Sequence, residues 1–342
     1  MKIKDCFLLI FLLLFAGVLI FFSADAKQGA HNGLILAQST IIPSLMPLLI
    51  IFLLIMKTGA KDVLSKCFGF ISHCIFNLPY VTFPAVFLGL LGGYPTGALL
   101  TKELLESGEI DQVQAKRMLR FNFCGGAGFI ITAVGTAVMQ NTKAGIILFI
   151  SNALSSVIIG FALSFTQKRT GEKFYSFTQK ENFGDALSDA TASAVGSVLN
   201  ITAFIILFSA ISQIITVDSR FVPLIEITNG VCSKNNFSLP EISAYLAFGG
   251  LCIHFQLLGI IKKVGMRLWD FFVFRIIGAV ISYIICKIIL KIIPVELAVF
   301  ANSAVPVELS SVNIALSVIM ILGCFVIILD INSKRGRHYS NY

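Results

Sequence analysis

Charge is the scarcest resource in this chain: only 13% of its 342 residues are Asp, Glu, Lys or Arg, about half the share carried by soluble domains. Histidine is rarer still, and the four present (His31, His73, His254 and His338) lie too far apart to suggest a metal-ligand cluster. The eight cysteines include no CxxC pair and fall mostly in apolar segments, which fits small buried side chains better than disulfides or metal ligands. GxxxxGK[ST], HExxH and GxSxG are all absent, so the sequence calls for no enzymatic activity, metal or cofactor. The net charge of +8 does not point to nucleic acid, because the basic residues are dispersed along the chain.

What is present is apolar length. The chain is 56% hydrophobic with a mean hydropathy of +0.89, which marks an all-α polytopic membrane protein that has the lipid bilayer as its solvent. Eight runs long enough to cross lie near residues 7–22, 37–56, 121–140, 144–165, 190–216, 240–261, 268–293 and 312–332. Lys2 and Lys4 precede the first run, and "SADA" follows it like a cleavage site. With seven runs behind it, a retained helix is expected.

Segments 67–108 and 221–239 could cross or could re-enter. If both re-enter and the N-terminus is cytoplasmic, 19 of 26 basic residues fall inside and six outside; if both cross, the count becomes 13 against 12. The positive-inside bias therefore selects two re-entrant segments and cytoplasmic N- and C-termini in a multi-pass cell-membrane protein. Domains follow: an N-terminal helix and outer loop (1–36), a first repeat (37–165), a cytoplasmic linker (166–189), a second repeat (190–293) and a C-terminal helix with a basic tail (294–342).

The repeats are expected to be inverted. "NFCGGAGFIITAVG" from Asn122 aligns without gaps with "LAFGGLCIHFQLLG" from Leu246, pairing Gly125 and Gly126 with Gly249 and Gly250. "IIPSLMPLLIIFLLI" from Ile41 aligns with "AVGSVLNITAFIILF" from Ala194, and "LGLLGGYPTGALL" of the first half stands opposite "EITNG" of the second. The charge-derived topology starts one copy outside and the other inside. Glycine- and proline-broken segments at matching places of inverted halves place unwound backbone at a midplane site.

The candidate substrate-binding residues are therefore Gly92, Gly93, Tyr94, Pro95, Thr96 and Gly97 at the first tip; Asn122, Gly125 and Gly126 at the first break; Glu226, Thr228, Asn229 and Gly230 at the second tip; and Gly249, Gly250, His254 and Gln256 at the second break. Glu226 and His254 stand out because an ionisable group at membrane depth suggests substrate pairing or proton relay. Each also has a plain reading, His254 as a packing residue and Glu226 as interfacial. Arg275 is either a counter-charge for an anion or a snorkelling residue. Pro43 and Pro47 are expected to kink the second span, with Ser44 nearby.

The stretches "IIPSLMPLL", "LGLLGGYPTGALLTKELLESGEI", "RFNFCGGAGFI", "EITNG" and "AFGGLCIHFQ" resemble the YlbJ (SpoVV) group of sporulation integral membrane proteins, within the wider nucleoside-recognition or gate domain family. The resemblance runs from about Ile41 to Gln256 and is most specific at the GGYPTGA tip. It implies a core similar to that of concentrative nucleoside transporters, with two re-entrant hairpins and two unwound helices around the substrate. It also implies movement of dipicolinate, a small aromatic dianion, into the developing spore, across a forespore or mother-cell membrane. The chain departs from the group in its short second hairpin and in "CGGAG" at the first break.

Two functions follow as expectations. The first is transport of a small polar or anionic organic solute, dipicolinate or nucleoside-like, by alternating access with an unspecified coupling ion. The second is a non-transporting receptor or scaffold built on the same core. A homo-oligomer is compatible with either.

Overall fold

The computed structural model describes residues 3–166, 182–215, 220–232 and 237–295. The expected span at 312–332 lies outside them. Among the described residues the protein is all helical, with no strand.

The chain opens with α1 (Ile3–Phe21) and α2 (Ser23–Leu36), and a π-helical stretch, Ala37–Ile41, leads into α3 (Ile42–Lys57). The expected outer loop is thus helical, and residues 23–57 form one rod of 35 residues. Gly29 and Gly33, one turn apart, explain it. A Cβ on Gly29 would stand 2.5 Å from the Ser209 carbonyl oxygen, so the two glycines let the polar α2 lie directly on another helix. The π turn precedes Pro43 and Pro47, and the rod stays continuous where the prolines suggested a kink.

Next come α4 (Ala60–Phe76), a 3-10 turn (Tyr80–Thr82), α5 (Phe83–Gly92), α6 (Tyr94–Glu106) and α7 (Gln112–Phe121), then a π-helix, Gly128–Val138, and α8 (Thr142–Ser164). The second half holds α9 (Phe183–Ile214), α10 (Val222–Ile225), α11 (Ile227–Cys232), α12 (Leu239–Phe248), α13 (Gly250–Gln256), α14 (Leu258–Lys263) and α15 (Leu268–Ile292). α9 begins at Phe183, so the end of the expected linker is already helix.

Among the described residues four helices are long and apolar enough to cross a membrane: 23–57, 142–164, 183–214 and 268–292. A fifth crossing appears if α4 and the segment from Tyr80 to Gly92, bent by 102°, count as one. The runs at 121–140 and 240–261 are not continuous helices. The first opens with non-helical residues 122–126, and the second breaks at Gly249 and again at Leu257. Hydropathy cannot see such breaks, because glycine interrupts the backbone without making the run polar.

α8 shows what solvent the fold expects. Ile146, Ile150, Leu154, Ile158 and Phe161 are exposed along one stripe, whereas Ser151, Asn152, Ser155 and Ser156 are buried. The polar face is glue. The Asn152 amide donates to the Ser243 carbonyl and the Ser282 hydroxyl, both at 3.3 Å, and the Ser156 hydroxyl donates to the Phe123 carbonyl at 2.8 Å. Apolar outside and hydrogen-bonded inside is the pattern that lipid demands.

Charged residues collect at one end. Lys61 and Glu109 form a buried pair at 2.5 Å, Lys57 reaches Glu103 at 3.4 Å and Asp189 at 3.9 Å, and Lys263 reaches Glu106 at 3.5 Å. The base of α6 is thereby tied to the α3–α4 junction, α9 and α14 together.

Candidate functional site

Two broken helices and two hairpin tips meet in one place. α7 and α12 have 10 residues each and open with a capping box, Asp111 with Gln114 and Ser238 with Glu241, which satisfies the N–H groups that a helix start leaves free. Each ends at its glycine break. Gly126 (φ +72°) and Gly249 (φ +88°) occupy the left-handed region that a side chain rarely adopts.

The first tip rests against the first break. A Cβ on Gly126 would stand 2.8 Å from the Gly93 Cα, so backbone touches backbone. Gly93 itself closes α5 and opens α6, with Pro95 in the first turn of α6, where its missing N–H costs nothing. The interruption is this one residue, shorter than the Gly92–Gly97 tip expected.

Contacts then cross to the other half. The Tyr94 hydroxyl donates to the Leu246 carbonyl at 2.6 Å, and its ring lies 4.8 Å from that of Phe123. A Cβ on Gly249 would stand 2.8 Å from the Phe123 ring, and one on Gly250 would stand 3.1 Å from the Ile227 nitrogen. Phe123 is thus the hub between the breaks. Sequence reasoning missed it, since one phenylalanine among 31 carries no signal.

Where these pieces converge a pocket opens, with about 60 Å³ of cavity. Gly92, Gly93, Tyr94 and Pro95 line it from the first tip, Gly125 from the first break, Glu226 and Thr228 from the second tip, and Gln256 from α13. Ser44 also lines it. Its apolar walls, also missed, include Ile41, Leu45 and Leu48 on the π turn and α3, and Ile201 and Ile205 on α9. Their three- and four-residue spacing is the signal that could have found them.

Glu226 is buried at 1% exposure. It sits between α10 and α11, and its Oε1 accepts the Thr228 N–H at 2.9 Å. Among the described lining residues it is the one charged side chain.

Several expected residues stand outside the pocket. The Asn122 amide donates to the Ala85 carbonyl at 3.0 Å and the Gly97 carbonyl at 3.3 Å, so it ties the hairpin to the broken helix rather than facing a solute. Thr96, Gly97, Gly126, Gly249 and Gly250 pack behind the lining, as does Gly230, which leaves no room for a Cβ against Pro223. The Asn229 side chain lies outside the described residues. His254 faces away from the pocket, into a ring of aromatics.

Arg275 neither snorkels nor faces the pocket. It is buried at 2% exposure, stacks 4.2 Å over Phe123 and donates to the Arg120 carbonyl at the end of α7. Arg117 treats α4 likewise, donating to the Asn77 carbonyl. Two buried guanidinium groups thus supply donors to the last carbonyls of these helices.

No protein-family profile and no solved structure matches the chain. A curated relative does: the sporulation integral membrane protein YlbJ of Bacillus subtilis (strain 168) is 24% identical over an alignment of 341 residues that covers 85% of this chain and 84% of the relative. With its lipid-adapted helices, this chain is an integral membrane protein similar to YlbJ.

Proposed function

We propose that the protein is a transporter, not an enzyme, that passes a small polar or anionic organic solute through this pocket by alternating access. The core is then of the gate type, with α5–α6 and α10–α11 re-entering and the two broken helices belonging to inverted halves, in a bundle of eight crossings. One observation carries the reading: both tips, the first break and α13 line a single pocket, which is where an alternating-access carrier holds its cargo. The end rich in Lys57, Lys61 and Lys263 faces the cytoplasm by the positive-inside rule, as do both termini. The similarity to a protein named for sporulation supports a place in the membranes of the developing spore.

The lining narrows the chemistry. Aliphatic and aromatic walls suit a flat ring, and the Gln256, Thr228 and Ser44 side chains offer hydrogen bonds at its edge. A carboxylate opposes an anion at close range. Dipicolinate would therefore enter with Glu226 protonated or with a cation beside it, whereas a nucleoside would bind Glu226 through its own donors. At about 60 Å³ the cavity admits a few waters, far below the roughly 300 Å³ of a typical ligand site. Solute entry requires the hairpins to part.

Uptake into proteoliposomes tests the proposal with dipicolinate, a nucleoside and a dicarboxylate as probes. Wild-type flux of one probe, lost in a folded Gly93→Leu variant, is the expected result. No flux of any probe would favour the receptor or scaffold, and labelling that finds Lys61 and Lys116 on opposite faces would overturn the topology.

A further inference from the structure

α13 is a wall between two cavities. Ile253 and Gln256 face the pocket described above, while Leu251, His254, Phe255 and Leu258, spaced by three and four, face a second cavity that Leu268, Trp269 and Phe272 close from α15. It holds about 190 Å³, more than the roughly 150 Å³ that admits benzene into an engineered apolar cavity. No polar atom is exposed on its wall. Phe255, Leu268 and Trp269 are themselves exposed, so among the described residues nothing covers this side of the cavity.

One feature of this apolar cavity is out of place. His254 is buried at 2% exposure, and its ring lies 4.9 Å from that of Phe248 and 5.4 Å from those of Phe271 and Phe272. Its Nδ1 lies 2.6 Å from the Gly250 carbonyl, which can only accept, so Nδ1 carries the hydrogen. Nε2 is then an acceptor, and among the described residues it has no hydrogen-bond partner. A buried acceptor left unpaired costs about 1–3 kcal/mol, and no group among the described residues relieves it.

We propose that this cavity binds a lipid-borne amphiphile with an apolar body and one hydroxyl donor, an alcohol or phenol, whose O–H reaches His254 Nε2. The guest enters from the bilayer through the gap beside Trp269 and displaces a neighbouring side chain to make the bond. The cavity is independent of the transport pocket and of whether any solute is carried.

Trp269 is the sole tryptophan of the chain and forms part of the wall, so its fluorescence reports occupancy. The full chain in phosphatidylcholine vesicles is titrated with 4-butylphenol and with 4-butylanisole, its methyl ether, at matched concentrations in the lipid. The expected result is a saturable change with the phenol at least tenfold tighter than with the ether, and loss of that preference in His254→Phe, which keeps the aromatic box. The ¹⁵N resonance of His254 Nε2 in the wild type should shift with the phenol alone, a readout that needs no variant to fold. Equal binding of phenol and ether would reduce the cavity to an acyl-chain slot and overturn the proposal. So would the absence of saturation, or an Nε2 resonance indifferent to the phenol.

Discussion

The two hairpins that meet at the pocket are built unequally. α5 and α6 have 10 and 13 residues, turn on a glycine, and are held by the Asn122 amide above and the Lys61–Glu109 pair below. α10 and α11 have four and six and turn at Glu226, which brings a carboxylate where the first hairpin brings backbone. The long hairpin shapes the site and the short one supplies its charge. The one lining charge therefore sits on the short hairpin, while the Asn122 and Lys61–Glu109 ties hold the long one.

Substitutions at the breaks give the sharpest contrast. Gly126→Ala combines a left-handed φ with a Cβ 2.8 Å from the Gly93 Cα; about 1–2 kcal/mol of strain and about 1–3 kcal/mol of overpacking should be lost from stability in denaturant titrations. Gly250→Ala shares the left-handed φ, but its nearest neighbour is 3.1 Å away, so the strain of about 1–2 kcal/mol dominates. Equal losses at the two positions would mean the breaks are equally tight and would erase the contrast.

Between the two glycine variants in size is Lys61→Ala, which leaves the Glu109 carboxylate buried without its lysine and should cost about 3 kcal/mol. Asn122→Ala removes two hydrogen bonds from the first hairpin and should cost about 2 kcal/mol. A midpoint unmoved by either would show that the long hairpin does not depend on its ties. Smallest is Lys263→Ala. Its partner Glu106 is half exposed, so thermal unfolding should change by less than about 0.5 kcal/mol, and a larger loss would make the second half a support for the first hairpin.

Much of this site could be read from composition and order. Gly93 and Pro95 mark the first tip because a backbone freed there needs protein around it, and Gly249 and Gly250 mark the second break by matching Gly125 and Gly126. Glu226 was legible as an acid in an apolar stretch. His254 was legible as unusual and was assigned the wrong cavity, because α13 presents residues 253 and 254 to opposite sides. The Phe123 hub and the capping roles of Arg117 and Arg275 were illegible, since each depends on partners 29 to 155 positions away.

By itself, the order of the amino acids determined the solvent and the weak points of the chain: hydropathy is summed locally, and glycine breaks a helix wherever it stands. Only the tertiary structure decided which weak points share a pocket, which buried cation caps which helix, and which face of α13 looks at which cavity. Those are contacts between distant segments, and local sequence carries no record of the partner.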